Sequence, residues 1–141
     1  MTDITLIRQD SYSTRRPLFT HTFVDDQGDP FDLTGCTVRS TFKTATTDSQ
    51  TDTTDSTAAI KATLIVDGTG TATTQTKMYM VGAATAGVCE LRLSSADTGS
   101  LAVGTFFNSD VEITDANGEV FTFPMTDRIV ITEGYTNRTS G

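Results

Sequence analysis

Val111-Glu112-Ile113-Thr114-Asp115-Ala116-Asn117-Gly118-Glu119-Val120 reads as strand, tight turn and returning strand. Val111 and Ile113 alternate with Glu112 and Thr114, the two-residue period of a half-buried strand. Asn-Gly suits the positive φ angles of a tight hairpin. The same grammar runs outward in both directions. Toward the N-terminus, Thr105 to Thr114, Val88 to Leu93, Thr71 to Met80, Ala58 to Val66, Cys36 to Lys43, Leu18 to Val24 and Ile4 to Arg8 all have strand character. Asp67-Gly68-Thr69-Gly70 and Asp25-Asp26-Gln27-Gly28-Asp29-Pro30 are turn signals between them. Toward the C-terminus come Val120 to Phe123 and Arg128 to Thr132. In the last, Ile129-Val130-Ile131 suits a strand buried on both faces or paired at an edge. Ser94 to Leu101 is the one helical piece, with Ser94 or Ser95 as its cap and Gly99 as its stop. About eight or nine short strands at this spacing predict an antiparallel sandwich or barrel.

The chain of 141 residues fits one domain, expected over 1–132, with 133–141 as a C-terminal tail. At 36% hydrophobic and 20% charged residues it is globular and able to bury one core. Residues 44–57 carry no large apolar side chain and read as a polar loop or hairpin tip. A segment that orders against a neighbouring subunit is the alternative. Residues 9–17 read as a connection or irregular edge.

A net charge of -8 and a pI of about 4.4 repel phosphate backbones and anionic lipid, so neither nucleic acid nor membrane is an expected partner. No apolar run approaches the roughly 20 residues of a membrane helix. Met1-Thr2-Asp3 leads into a short strand rather than an export signal, so synthesis in the cytoplasm without export by the usual route is expected.

Residues able to carry chemistry are few. His21 is the sole histidine, sits mid-strand, and is accompanied by no Gly-x-Ser-x-Gly elbow. Cys36 and Cys89 read as buried apolar residues, with an inter-strand bridge as the alternative. Together with His21 they do not make a four-ligand zinc centre. Asp25, Asp26 and Asp29 form the densest acidic group, but turn chemistry explains them without calcium. The Asp67-Gly68-Thr69-Gly70-Thr71 stretch lacks the lysine of a phosphate loop. Phe106-Phe107 and Phe121-x-Phe123 have strand spacing and are expected in the core. No cofactor, metal or catalytic residue is expected, and the chain reads as a non-enzymatic interaction module.

Several stretches, taken in order, resemble a known family. Ile4-Thr5-Leu6-Ile7-Arg8-Gln9-Asp10 resembles the opening of the N-terminal domain of phage baseplate upper proteins. The run Phe23 to Arg39, containing Asp32-Leu33-Thr34-Gly35-Cys36-Thr37-Val38, is similar to that family's strand, turn and strand entry. Ala86-Gly87-Val88, Leu93-Ser94-Ser95-Ala96-Asp97-Thr98, Gly104-Thr105-Phe106 and the 111–120 hairpin are similar to its later elements. The resemblance covers most of the chain. It implies an immunoglobulin-like antiparallel β-sandwich of about seven to nine strands with one short helical turn, located in the virion. The function it implies is that of a tail or baseplate assembly subunit, a homo-oligomer in contact with other virion proteins. The long polar insertion at 44–57 departs from the family pattern and leaves a capsid decoration protein, clamping major capsid subunits, as the alternative. A carbohydrate- or receptor-binding module built on an exposed tyrosine such as Tyr12 or Tyr79 is a further one.

Contacts of this kind use strand edges and extended arms. The stretches 1–17 and 133–141 are the expected arms. Ile4, Leu6, Arg8, Tyr12, Arg15, Arg16, Glu133, Tyr135 and Arg138 are their expected contact residues.

Overall fold

A computed structural model describes residues 3–43, 58–124 and 128–134. The expected tip at 44–57, and Tyr135 and Arg138 of the expected tail, lie outside the described residues.

The described chain is an all-β sandwich. Its strands are β1 (Asp3–Ile7), β2 (Phe19–Thr22), β3 (Thr37–Phe42), β4 (Ile60–Val66), β5 (Ala72–Thr76), β6 (Met78–Met80), β7 (Val88–Leu91), β8 (Phe106–Phe107), β9 (Asp110–Thr114), β10 (Val120–Pro124) and β11 (Arg128–Thr132). A 3-10 turn (Ala84–Ala86) and one helix, α1 (Ser95–Gly99), interrupt them. The five-stranded sheet has the order β10-β9-β3-β4-β5, and two three-stranded sheets have the orders β2-β7-β6 and β1-β11-β8.

Alternation builds the core. Val38, Phe42, Ile60, Ala62, Leu64, Val66, Val111 and Ile113 point inward from the five-stranded sheet. They join Leu6, Phe23, Met78, Cys89, Leu91, Phe107, Ile129 and Ile131 in one apolar cluster. Phe107 packs on Phe42, and Phe123 on Phe23, with ring centroids 6.0 and 5.0 Å apart. Ser40, buried among these, is satisfied by Ser109 Oγ at 3.0 Å and the Asp110 carbonyl at 2.9 Å.

The structure differs from the sequence reading at three places. Thr71 to Met80 is two strands, because the backbone turns at Lys77, whose φ is 66°. β5 stays in the five-stranded sheet and β6 joins β2-β7-β6. Thr105 to Thr114 likewise divides, with β8 and β9 in different sheets. One side-chain alternation continues across such a corner, so periodicity alone does not reveal it. Third, one pair is parallel: β1 runs alongside β11, with Leu6 opposite Ile131. β11 is therefore a central strand, with Ile129 and Ile131 buried and Val130 half-buried.

Local signals hold where side chains bond to backbone. Ser94 caps α1 by accepting the Asp97 amide at 3.1 Å, and the Asp97 carboxylate accepts the Ser94 amide at 3.0 Å. In the 115–119 hairpin only Gly118 takes a positive φ, 83°. The Asp115 carboxylate accepts the amides of Asn117 and Glu119, both at 2.9 Å, so aspartate fixes this turn together with the glycine.

Candidate functional site

The expected N-terminal arm is not an arm. β1 is part of a sheet, and Leu6 and Tyr12 are buried in the core, which corrects their reading as contact residues. The Ile7 amide donates to the Tyr12 hydroxyl at 2.8 Å, and the Asp10 amide donates to the Ile7 carbonyl at 3.1 Å. The loop after β1 therefore folds back and closes the outer edge of that strand at Ile7. Arg16 stacks 4.5 Å over the Tyr12 ring and pairs with Asp10 at 2.9 Å. Arg8 lies 3.9 Å from Glu133, Ile4 is half-buried against the core, and Arg15 is exposed. Arg8, Arg15, Arg16 and Glu133 are thus the expected contact residues that present charge to solvent.

Tyr79 is half-buried beneath the Arg92 guanidinium, 4.0 Å from its ring centre. Arg92 Nε also donates to Glu90 at 3.0 Å, and Glu90 is buried to 6% exposure on the outer side of β7. The sugar-binding reading rested on these tyrosines. One is in the core, and the other has a ring face taken by arginine.

His21 lies against Phe23 and Phe123, with centroids 4.5 and 6.2 Å away, and burial lowers its pKa. Cys36 and Cys89 are both free thiols. Burial pushes Cys89 up to about 12 and raises Cys36, the latter also through Asp115 and Asp32. Neither is poised as a nucleophile. Among the described residues no His, Cys, Asp or Glu group is arranged to hold a metal.

Two features were missed in the sequence. The first is a turn used three times. In Asp25–Asp29, Asp67–Thr71 and Asp115–Glu119 the leading amide donates to the fifth residue's carbonyl, and the fourth, a glycine, donates to the leading carbonyl. In each, the leading carboxylate accepts the third and fifth amides at 2.9–3.0 Å. The signal Asp-x-x-Gly-x was present at all three positions.

The second is charge segregation. These turns gather at one end of the sandwich. There the Gly35 amide donates to the Asp67 carbonyl at 2.9 Å, and Leu33 bonds to Ala84 at 3.0 Å. This end carries Asp25, Asp26, Asp29, Asp32, Asp67, Asp115 and Glu119, while residues 24–36, 66–72, 82–88 and 114–120 contain no Lys or Arg. Hydrogen bonds from the Thr69 side chain and the Thr71 and Thr69 amides hold the Asp67 carboxyl below its ordinary value, and Thr34 does the same for Asp32. Elsewhere, Arg8, Arg16, Lys77, Arg92 and Arg128 each sit beside an acidic partner. Among the described residues the net negative charge is therefore concentrated at one pole.

No family model, no curated protein and no solved structure matches this chain.

Proposed function

We propose that this protein is a non-enzymatic structural component of a bacteriophage virion, a tail or baseplate subunit that acts by contacting other virion proteins. The observation that carries the reading is that the segments resembling baseplate upper proteins interlock in space. Gly87 of the Ala86-Gly87-Val88 segment sits against the carbonyls of Phe23 and Phe31, and Gly35 of the Asp-Leu-Thr-Gly segment against Ala116 of the closing hairpin. The stretches within 23–39, 86–88 and 111–120 meet at one end of the molecule, and 4–10 meets 93–98 elsewhere, where the Thr98 hydroxyl donates to the Asp10 carbonyl at 2.8 Å.

The charge distribution favours the same reading. A pole with carboxylates and no cations is suited to a basic patch on a neighbouring subunit, and such complementarity sets orientation during assembly. The decoration-protein alternative uses the same surfaces and differs in copy number. Quantifying this chain in separated tails and shells of one phage tests the assignment. A handful to a few tens of copies in the tail fraction supports it. Hundreds of copies in the shell fraction assign it to capsid decoration.

A further inference from the structure

The strand edges of this sandwich are not equally open. β8 has two residues, and β6 has three, one of which gives its Met80 amide to Gln75 Oε1 at 3.1 Å. β5 carries a register irregularity opposite Ile65 and Val66. β1 is closed at Ile7 by Tyr12 and Asp10. Bulges, short strands and covering loops of this kind protect edges from pairing. Among the described residues two terminal strands show none of these devices: β2, whose exposed side chains are Thr20 and Thr22, and β10 over Val120-Phe121-Thr122, which alone of the two carries an exposed apolar side chain at its edge.

Its outward groups follow from the hairpin. The Asp115 amide donates to the Glu119 carbonyl at 2.9 Å, so that pair is hydrogen-bonded. Alternation makes Val120–Thr114 and Thr122–Glu112 the non-hydrogen-bonded pairs of the register. The amides and carbonyls of Val120 and Thr122 therefore point away from β9. Pro124, next in the outward series, has no amide to offer. The usable edge is thus two residues, bounded by a turn and a proline. Beside it Val120, at 57% exposure, is the most exposed large apolar residue described, and Phe121 is half-buried on Phe31.

We propose that β10 pairs antiparallel with β10 of a second copy, about a two-fold axis at Phe121, joining the two five-stranded sheets into one. In that register each Val120 exchanges both backbone bonds with the partner's Thr122, so every outward amide and carbonyl of the short edge is satisfied. The two Phe121 rings meet as a close cross-strand pair, and Val120 is covered by a threonine. Glu119 falls opposite Phe123, so no carboxylate faces another directly across the seam. A longer foreign strand would gain nothing past Pro124 or the turn. Because each chain carries -8, pairing of two copies strengthens as salt rises, whereas a basic strand seated here would be weakened. The pairing is independent of the particle assignment above.

Sedimentation equilibrium of the full chain across concentration and NaCl tests the proposal. The expected result is a dimer fraction that rises with both and is lost in Thr122→Pro, whose far-UV circular dichroism stays that of the wild type. Phe121→Cys should cross-link to its own copy under mild oxidation, because residues on the axis lie at disulfide distance. Thr122→Pro placed in that background should suppress the link. A monomer at every concentration together with no cross-link overturns the proposal, as does a dimer that persists in Thr122→Pro. So does a monomer that takes up an alternating Lys-Thr peptide at this edge, which would assign the edge to a basic strand.

Discussion

Gly87 lies so close to Phe31 that a Cβ on it would stand 2.6 Å from the Phe31 carbonyl oxygen and 2.9 Å from that of Phe23. Its φ of 69° places it in the left-handed region as well. The chain leaving β2 and the chain entering β7 touch here backbone to backbone, with the Phe23 amide donating to the Gly87 carbonyl at 2.8 Å. Gly118 has a similar φ of 83° but open space around its Cα. Gly87→Ala should therefore cost on the order of 3 kcal/mol, and Gly118→Ala about 1 kcal/mol. Urea unfolding of both variants measures this, and equal losses would show that the close approach is not a constraint.

Tyr12 was expected to meet a partner and instead closes an edge of its own fold. Tyr12→Phe keeps the ring and removes the acceptor of the Ile7 amide. The expected loss is about 1–2 kcal/mol of stability, the cost of an unsatisfied, partly buried donor. Thermal melts showing no change would mean that the Tyr12 hydroxyl does not hold the edge at Ile7 closed.

Arg92 neutralises Glu90 and covers Tyr79 at once. Arg92→Ala leaves a buried carboxylate without its cation and should destabilise by about 3 kcal/mol. Glu90→Gln combined with Arg92→Met removes both charges while keeping bulk, and should recover most of that loss. A double variant no better than the single one would mean that the charge pair is not what Arg92 contributes.

Acid should weaken the fold in two steps. The His21 pKa is lowered by burial, so below about pH 6.5 the unfolded chain takes a proton that the folded chain resists, and stability falls as pH drops through that region. Asp32 and Asp67 are held below their ordinary value of 3.8, so their contribution is present above that pH and is lost as pH falls beneath it. Unfolding free energy against pH should show both steps, and His21→Asn should remove the upper one alone. An unaltered upper step in His21→Asn would place its origin elsewhere.

Strand positions, turns and the helix cap were legible in the sequence because each is local. Alternation marks a buried face, and Asp, Gly, Ser and Asn bond to amides a few residues away. The sheet-switching corners at Lys77 and between Phe107 and Asp110 were not legible, since a strand keeps its alternation when it changes partners. The β1–β11 pairing joins the two ends of the described chain, and nothing in Asp3–Ile7 alone indicates which strand it meets. Of the expected contact residues, Leu6 and Tyr12 were misread for one reason. An apolar residue near a terminus looks available until its sheet is known. The acidic pole was written in the sequence as runs free of Lys and Arg, but only the fold brings those runs to one end.

The most direct test of the central claim is the composition of purified phage particles. After density-gradient purification and a high-salt wash, mass spectrometry should find this chain in fixed proportion to the other virion proteins. Recovery in the soluble lysate alone, with none retained on particles, would contradict the assignment of this sandwich to the virion.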